Sequence, residues 1–213
     1  MAVKSSFVNM VLCLGVITLM CSALLAGIYV LTEEPIAKAA QAKTESAIAA
    51  VTPAFAELRN ETTSDGTAYC IAVGEDSSEV AYVVNASSVG FGGRIDLMVG
   101  FLPDGTIYDT AVLGHSETPG LGAKCTEEAF AGQFKGFDPS QRKLYVRKDE
   151  GDVDAITAST ITSRGYCAAL RNAVEVFETI RDERFVTVLE TADSVILDVT
   201  DAVETIMEEN SNE

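Results

Sequence analysis

The sequence predicts an α+β protein, with one N-terminal transmembrane helix followed by a single domain whose antiparallel sheet carries flanking helices. Three observations predict it. Residues 7–31 contain no charged side chain. Four later stretches are short, rich in β-branched and aromatic residues, and bounded by turn formers. From Ser163 onward the apolar period changes to that of a helix. A chain of 213 residues has room for one membrane segment and one domain of ordinary size.

The 25 residues from Phe7 to Leu31 exceed the roughly 20 that span a bilayer as a helix. A secretory signal has a shorter apolar region, about 7–15 residues, before a small-residue cleavage site. A lipoprotein signal places a small residue before its cysteine, whereas Met20 precedes Cys21 and Leu12 precedes Cys13. The segment therefore reads as an uncleaved anchor. Lys4 lies on one side of it and Glu33 and Glu34 on the other, which puts residues 1–6 in the cytoplasm and residues 33–213 outside. Residues 32–58, rich in Ala, Glu and Lys, are expected to form a helical linker leaving the membrane and ending at Pro53.

The strand expectations are 68–73, 79–84, 94–101 and 106–113. Pro103-Asp104-Gly105 lies between the last two and carries turn chemistry that favours a hairpin. Cys167, Leu170, Val174 and Phe177 recur at spacings of three, four and three, one face of a helix over 163–177. The folded domain is read as 59–180. An acidic C-terminal extension, 181–213, follows, and its last six or so residues are expected to be disordered.

A formal charge of −17 argues against nucleic-acid binding. The five cysteines include no Cys-x-x-Cys pair, and His115 is the single histidine, which excludes a His-rich metal site or a bis-His haem. At most one disulfide is expected among Cys70, Cys125 and Cys167. A hydrolase has little support, since there is no Gly-x-Ser-x-Gly elbow. His115 is expected to act as a hydrogen-bonding loop residue.

Two stretches interrupt the regular pattern. Gly114 to Lys124 holds three glycines, a proline and several polar side chains, and fits either an ordinary connection or a loop that presents Glu117 and Thr118 to a ligand. Asp154 to Arg164 places five hydroxyls, on Thr157, Ser159, Thr160, Thr162 and Ser163, directly before the helix. Such hydroxyls fit an N-cap by Thr160, Thr162 or Ser163. They also fit a phosphate site at the positive end of the helix, with Arg164 adding charge. The residues alone leave both readings open and name no ligand.

The string Gly-His-Ser-Glu-Thr-Pro-Gly-Leu-Gly at 114–122, followed by Asp-Ala-Ile-Thr-Ala-Ser-Thr-Ile-Thr-Ser-Arg at 154–164, resembles the FMN-binding domain of RnfG, the G component of the Rnf electron-transport complex. The C component of the sodium-translocating NADH:quinone reductase shares that domain. The similarity takes in Gly90-Phe91-Gly92-Gly93-Arg94 and the turn at Asp104-Gly105, and so covers most of residues 80–177. The resemblance implies an electron-relay subunit of a membrane-bound, ion-translocating ferredoxin:NAD oxidoreductase, in a bacterial inner membrane, with its domain on the extracytoplasmic side.

The same resemblance implies FMN attached covalently as a phosphoester to Thr160, the last residue of a Ser/Thr-Gly-Ala-Thr motif. Thr157 matches the first position, while Ala158 stands for the usual glycine and Ser159 for the usual alanine. If the second position needs a positive φ, alanine there is strained. Glu117, Thr118, Leu121, Gly122 and Lys124 are implied as flavin contacts, with Thr157 and Ser159 beside the phosphate. The implied partners are the other Rnf subunits and a flavin transferase. The quinone-reductase component, and an FMN-domain module without redox activity, are the alternatives.

Overall fold

The computed structural model describes residues 7–210, with side chains for 7–186. It divides into two units, the first ending at Ser46 and the second beginning at Ala47. Lys4, on which the expected orientation rests, lies outside the described residues.

Helix α1 (Phe7–Val51) accounts for the described part of the first unit. Its side chains from Phe7 to Ser46 are all exposed, the uncharged run included. It is the one helix among the described residues long and apolar enough to cross a membrane. An α-helix of 25 residues is about 37 Å long, more than the roughly 30 Å hydrocarbon thickness. Pro35 lies inside the helix, where it removes one backbone donor without ending the element.

In the second unit the chain forms a five-stranded antiparallel meander in the order β1-β2-β3-β4-β5. The strands are β1 (Glu57–Thr62), β2 (Ala68–Val73), β3 (Glu79–Val89), β4 (Arg94–Phe101) and β5 (Ile107–His115). Strand β2 spans the expected residues, and the β4–β5 hairpin forms around Gly105, whose φ of +89° only glycine adopts without strain. Asp104 closes that turn by accepting the Thr106 N–H at 2.9 Å. Strand β1 was not anticipated, because Glu-Leu-Arg-Asn-Glu-Thr is polar and only partly covered, as an edge strand can be.

Alternation along the strands sorts side chains to two faces. Tyr69, Ile71, Val73, Tyr82, Val84, Ile95, Leu97, Val99 and Phe101 face one core, which helix α3 (Thr160–Asn210) covers with Tyr166, Cys167, Leu170, Ala173, Phe177 and Ile180. Val83 and Met98 face the other side and pack on Ala47, Ile48 and Val51, the last turn of α1. Between β5 and α3 the chain runs through short helical turns, including α2 (Glu128–Ala131). These turns supply Phe130 and Phe134, and Phe137 follows them in an isolated antiparallel bridge to Ile107. The Tyr166 ring stacks on Phe134 at 5.0 Å and meets Phe130 edge-on at 5.2 Å.

Helix α3 starts three residues before the expected Ser163 and continues to Asn210 rather than stopping near Phe177. Of the six residues expected to be disordered, 208–210 belong to this helix and 211–213 lie outside the described residues. All five cysteines are free thiols, with Cys125 and Cys167 buried and Cys70 directed to the opposite face of the sheet.

Candidate functional site

Three segments meet at one end of the sheet: the β3–β4 turn at 90–93, the loop that leaves β5, and the start of α3. Glu117 joins them. This carboxylate is only 5% exposed, and it accepts the Gly92 N–H on Oε1 at 3.0 Å and the Thr162 hydroxyl on Oε2 at 2.7 Å. A side chain at Gly90 or Gly122 would collide with the carboxylate, which is the reason glycine occupies both positions. His115 accepts the Glu117 N–H on Nδ1 at 3.2 Å, a loop hydrogen bond of the expected kind. Beneath, the buried Cys125 thiol is pushed up to about 11, first by burial and then by the Glu117 charge.

Glu117 forms part of the wall of a cleft of about 370 Å³, together with Phe91, Thr118, Leu121, Gly122, Ala158, Ser159, Thr160 and Ile161. This volume lies within the range of roughly 300–1,000 Å³ common for small-molecule sites, and so does the mix of apolar walls with a few polar groups. None of these wall residues is cationic.

The start of α3 separates three of the five hydroxyls by role. Ser163 Oγ accepts the Ile156 N–H at 2.9 Å and donates to the Ser159 carbonyl at 3.1 Å, while Thr162 is committed to Glu117. Thr160 stands at the first residue of the helix and in the cleft wall, and among the described residues its hydroxyl has no hydrogen-bond partner. The Ser163 N–H reaches the Ser159 carbonyl at 3.0 Å, so the N–H groups of 160–162 precede the intrahelical ladder and are free for an anion. Ala158 has φ of +62°, a left-handed conformation that turns the chain into the helix and that glycine adopts without strain.

Arg164 does not add charge to this site. Its guanidinium donates to both oxygens of Asp149 at 2.7 Å each, and this contact holds the Asp149 carboxyl below the usual carboxylate range. Of the residues that the sequence singled out, the cleft brings together Glu117, Thr118, Leu121, Gly122, Ser159 and Thr160. Thr157 and Lys124 are both exposed and lie outside its wall. Phe91 and Ile161 line it without having been anticipated. An aromatic residue set among glycines, in Gly-Phe-Gly-Gly, was the available signal for Phe91, which is 70% exposed. Among the described residues no cluster of His, Cys, Asp and Glu is placed to hold a metal ion.

The family model of the FMN-binding domain matches residues 90–175, and that of the RnfG N-terminal region matches residues 1–51. The G component of the ion-translocating oxidoreductase complex of Methanosarcina acetivorans is 32% identical over 82% of this chain and 96% of its own length. The chain belongs to the RnfG family. The G component of the proton-translocating ferredoxin:NAD(+) oxidoreductase complex of Clostridium ljungdahlii is 43% identical over 45% of this chain, and there the match spans about half, 52%, of the relative. Among solved structures, that of Shewanella oneidensis NqrC is similar over 58% of this chain and 68% of that one, with 21% identity and a TM-score of 0.43. The FMN-domain match begins at the turn that contributes Phe91 and Gly92 and runs into α3, so it encloses every wall residue of the cleft.

Proposed function

We propose that this RnfG-family chain carries FMN in the cleft, joined through its phosphate to Thr160 Oγ1, and serves as an electron relay in a membrane-bound, ion-translocating ferredoxin:NAD oxidoreductase. The observation that carries this reading is the unpartnered Thr160 hydroxyl at the N-terminus of α3, in the wall of the same cleft as Glu117, Thr118 and Leu121. The FMN-domain match supports the ligand, and the names of the relatives support the other Rnf subunits as partners.

FMN, when bound, supplies the one-electron chemistry, and the protein's part is to hold and orient it. Thr160 Oγ1 would give up its proton and attack the flavin-side phosphorus of a flavin dinucleotide held by a flavin transferase. The pyrophosphate bond would break, the nucleoside monophosphate would leave with that proton, and the chain would gain the mass of FMN less one water. The first-turn N–H groups and the positive end of the helix stabilise the phosphate where no cationic side chain is present. Phe91, Leu121 and Ile161 give the cleft apolar surface suited to a flat aromatic ring. Thr157 and Lys124 complete the proposed contacts from outside the wall. Residues 7–31 anchor the chain in the bacterial inner membrane, with residues 1–6 cytoplasmic and the domain at 59–180 on the extracytoplasmic side.

A second reading, a membrane-anchored module without cofactor, is favoured by one observation, the alanine at φ of +62° where the related motif has glycine. In-gel fluorescence separates the two. Co-expressed with a flavin transferase, the wild type is expected to fluoresce in a denaturing gel and to gain the mass of FMN less one water, and Thr160→Ala to do neither. An unmodified wild type under those conditions overturns the relay.

A further inference from the structure

The buried carboxylate of Glu117 has donors but no cation. It takes one hydrogen bond from the Gly92 backbone and one from Thr162, and among the described residues no Lys or Arg pairs with it. A carboxylate taken out of water is retained only where something holds it, and here two separate segments, the β3–β4 turn and the start of α3, do so. Gly90 and Gly122 leave space for it that any side chain would fill. Such construction is more than a loop needs in order to close. It fixes a negative charge in the wall of the cleft.

We infer that Glu117 sets the redox potential of the group bound in this cleft, and that Thr162 is the positioning residue that keeps the carboxylate aimed there. The inference rests on the proposal that FMN occupies the cleft. A group that gains electron density on reduction is disfavoured by a fixed negative charge beside it, and the low dielectric of a partly closed site strengthens that effect. Glu117 therefore holds the potential low. With the Thr162 hydroxyl removed, one carboxylate oxygen loses its buried donor and the side chain turns toward water, which weakens its field in the cleft.

The test uses the full-length protein, loaded with FMN by a flavin transferase, as wild type, Glu117→Gln, Thr162→Val, Thr162→Ser and the Glu117→Gln/Thr162→Val pair. Spectroelectrochemical titration gives the potential, in-gel fluorescence gives the FMN content, and thermal melting of the unloaded protein reads the clamp without the cofactor. Glu117→Gln is expected to shift the one-electron equilibrium at least tenfold toward the reduced form, about 59 mV. Thr162→Val should shift it the same way by less, Thr162→Ser should restore the wild-type value, and the pair should match Glu117→Gln alone. Unloaded Thr162→Val should melt below the wild type. A change of less than twofold in both single variants, in protein with full FMN content, overturns the inference. Should Glu117→Gln not accumulate, Thr162→Val carries the test, because it removes neither charge nor volume. Absence of FMN from the wild type is a different result, which overturns the proposed function.

Discussion

Thr162 donates a 2.7 Å hydrogen bond to Glu117, joining the first turn of α3 to the glycine-rich loop across 45 residues of sequence. Both side chains are buried, so the bond cannot be replaced by water without rearrangement. Thr162→Val is expected to destabilise the protein by about 1–3 kcal/mol, the cost of leaving a buried acceptor short of its donor. Urea unfolding followed by circular dichroism measures it, the chain having no tryptophan to report by fluorescence. A loss no larger than that of Thr179→Val, whose hydroxyl bonds only its own helix, would show that the link carries no stability.

Ala158 gives the second prediction. Its φ of +62° places a Cβ in the left-handed region, at a cost of roughly 1–2 kcal/mol. Glycine removes that strain and gives back part of the gain as unfolded-state entropy. Ala158→Gly should therefore stabilise the protein by about 1 kcal/mol, whereas Ala158→Val, β-branched at a positive φ, should destabilise it. Both changes appear as shifts of the urea midpoint. If attachment of FMN is limited by this strain, Ala158→Gly also raises the flavin content per chain.

Arg164 separates charge near the helix from charge in the site. Both of its hydrogen bonds go to Asp149, and the cleft wall contains no cation. Arg164→Ala should retain wild-type in-gel fluorescence under conditions where Thr160→Ala loses all of it. Loss of labelling in folded Arg164→Ala protein would return the guanidinium to the phosphate site.

The sheet was legible wherever burial imposed a pattern. Strand β2 and the β4–β5 hairpin are β-branched or carry Asp-Gly turn chemistry, and tertiary structure had nothing to override. Strand β1 was not legible, because its Glu, Arg and Asn side chains point largely to solvent and its pairing with β2 is a backbone property. The second half of β3, Asn85 to Ser88, was missed for a related reason: small polar residues carry little strand signal, yet they pair in register with Met98, Leu97, Asp96 and Ile95 on β4. In the site, residue type and motif singled out Glu117 and Thr160. The Thr162–Glu117 bond and the nearness of Phe91 depend on how β3, β4 and α3 converge, which no local window contains. Arg164 shows the converse, a charge well placed by sequence and diverted by Asp149, fifteen residues away.

The two buried thiols make the protein sensitive to alkali. Burial raises Cys167 from 9.0 to about 12 and, together with Glu117, raises Cys125 from 9.0 to about 11. In the unfolded chain both ionise near 9.0, so above that pH the unfolded state binds fewer protons than the folded one. Their contribution is fully present below that point and is lost as the pH rises toward the folded values, at up to about 1.4 kcal/mol per pH unit for each thiol. Urea unfolding of the full chain in detergent should give a stability level from about pH 8 to 9 that falls steeply by about pH 10.5. Burial also raises the tyrosines Tyr166 and Tyr82, the latter to about 12, which extends the decline above pH 10. Cys167→Ala combined with Cys125→Ala should flatten the slope between about pH 9 and 10 while leaving the tyrosine-dependent part above it. An equally steep fall in that double variant would assign the alkaline loss to the tyrosines alone.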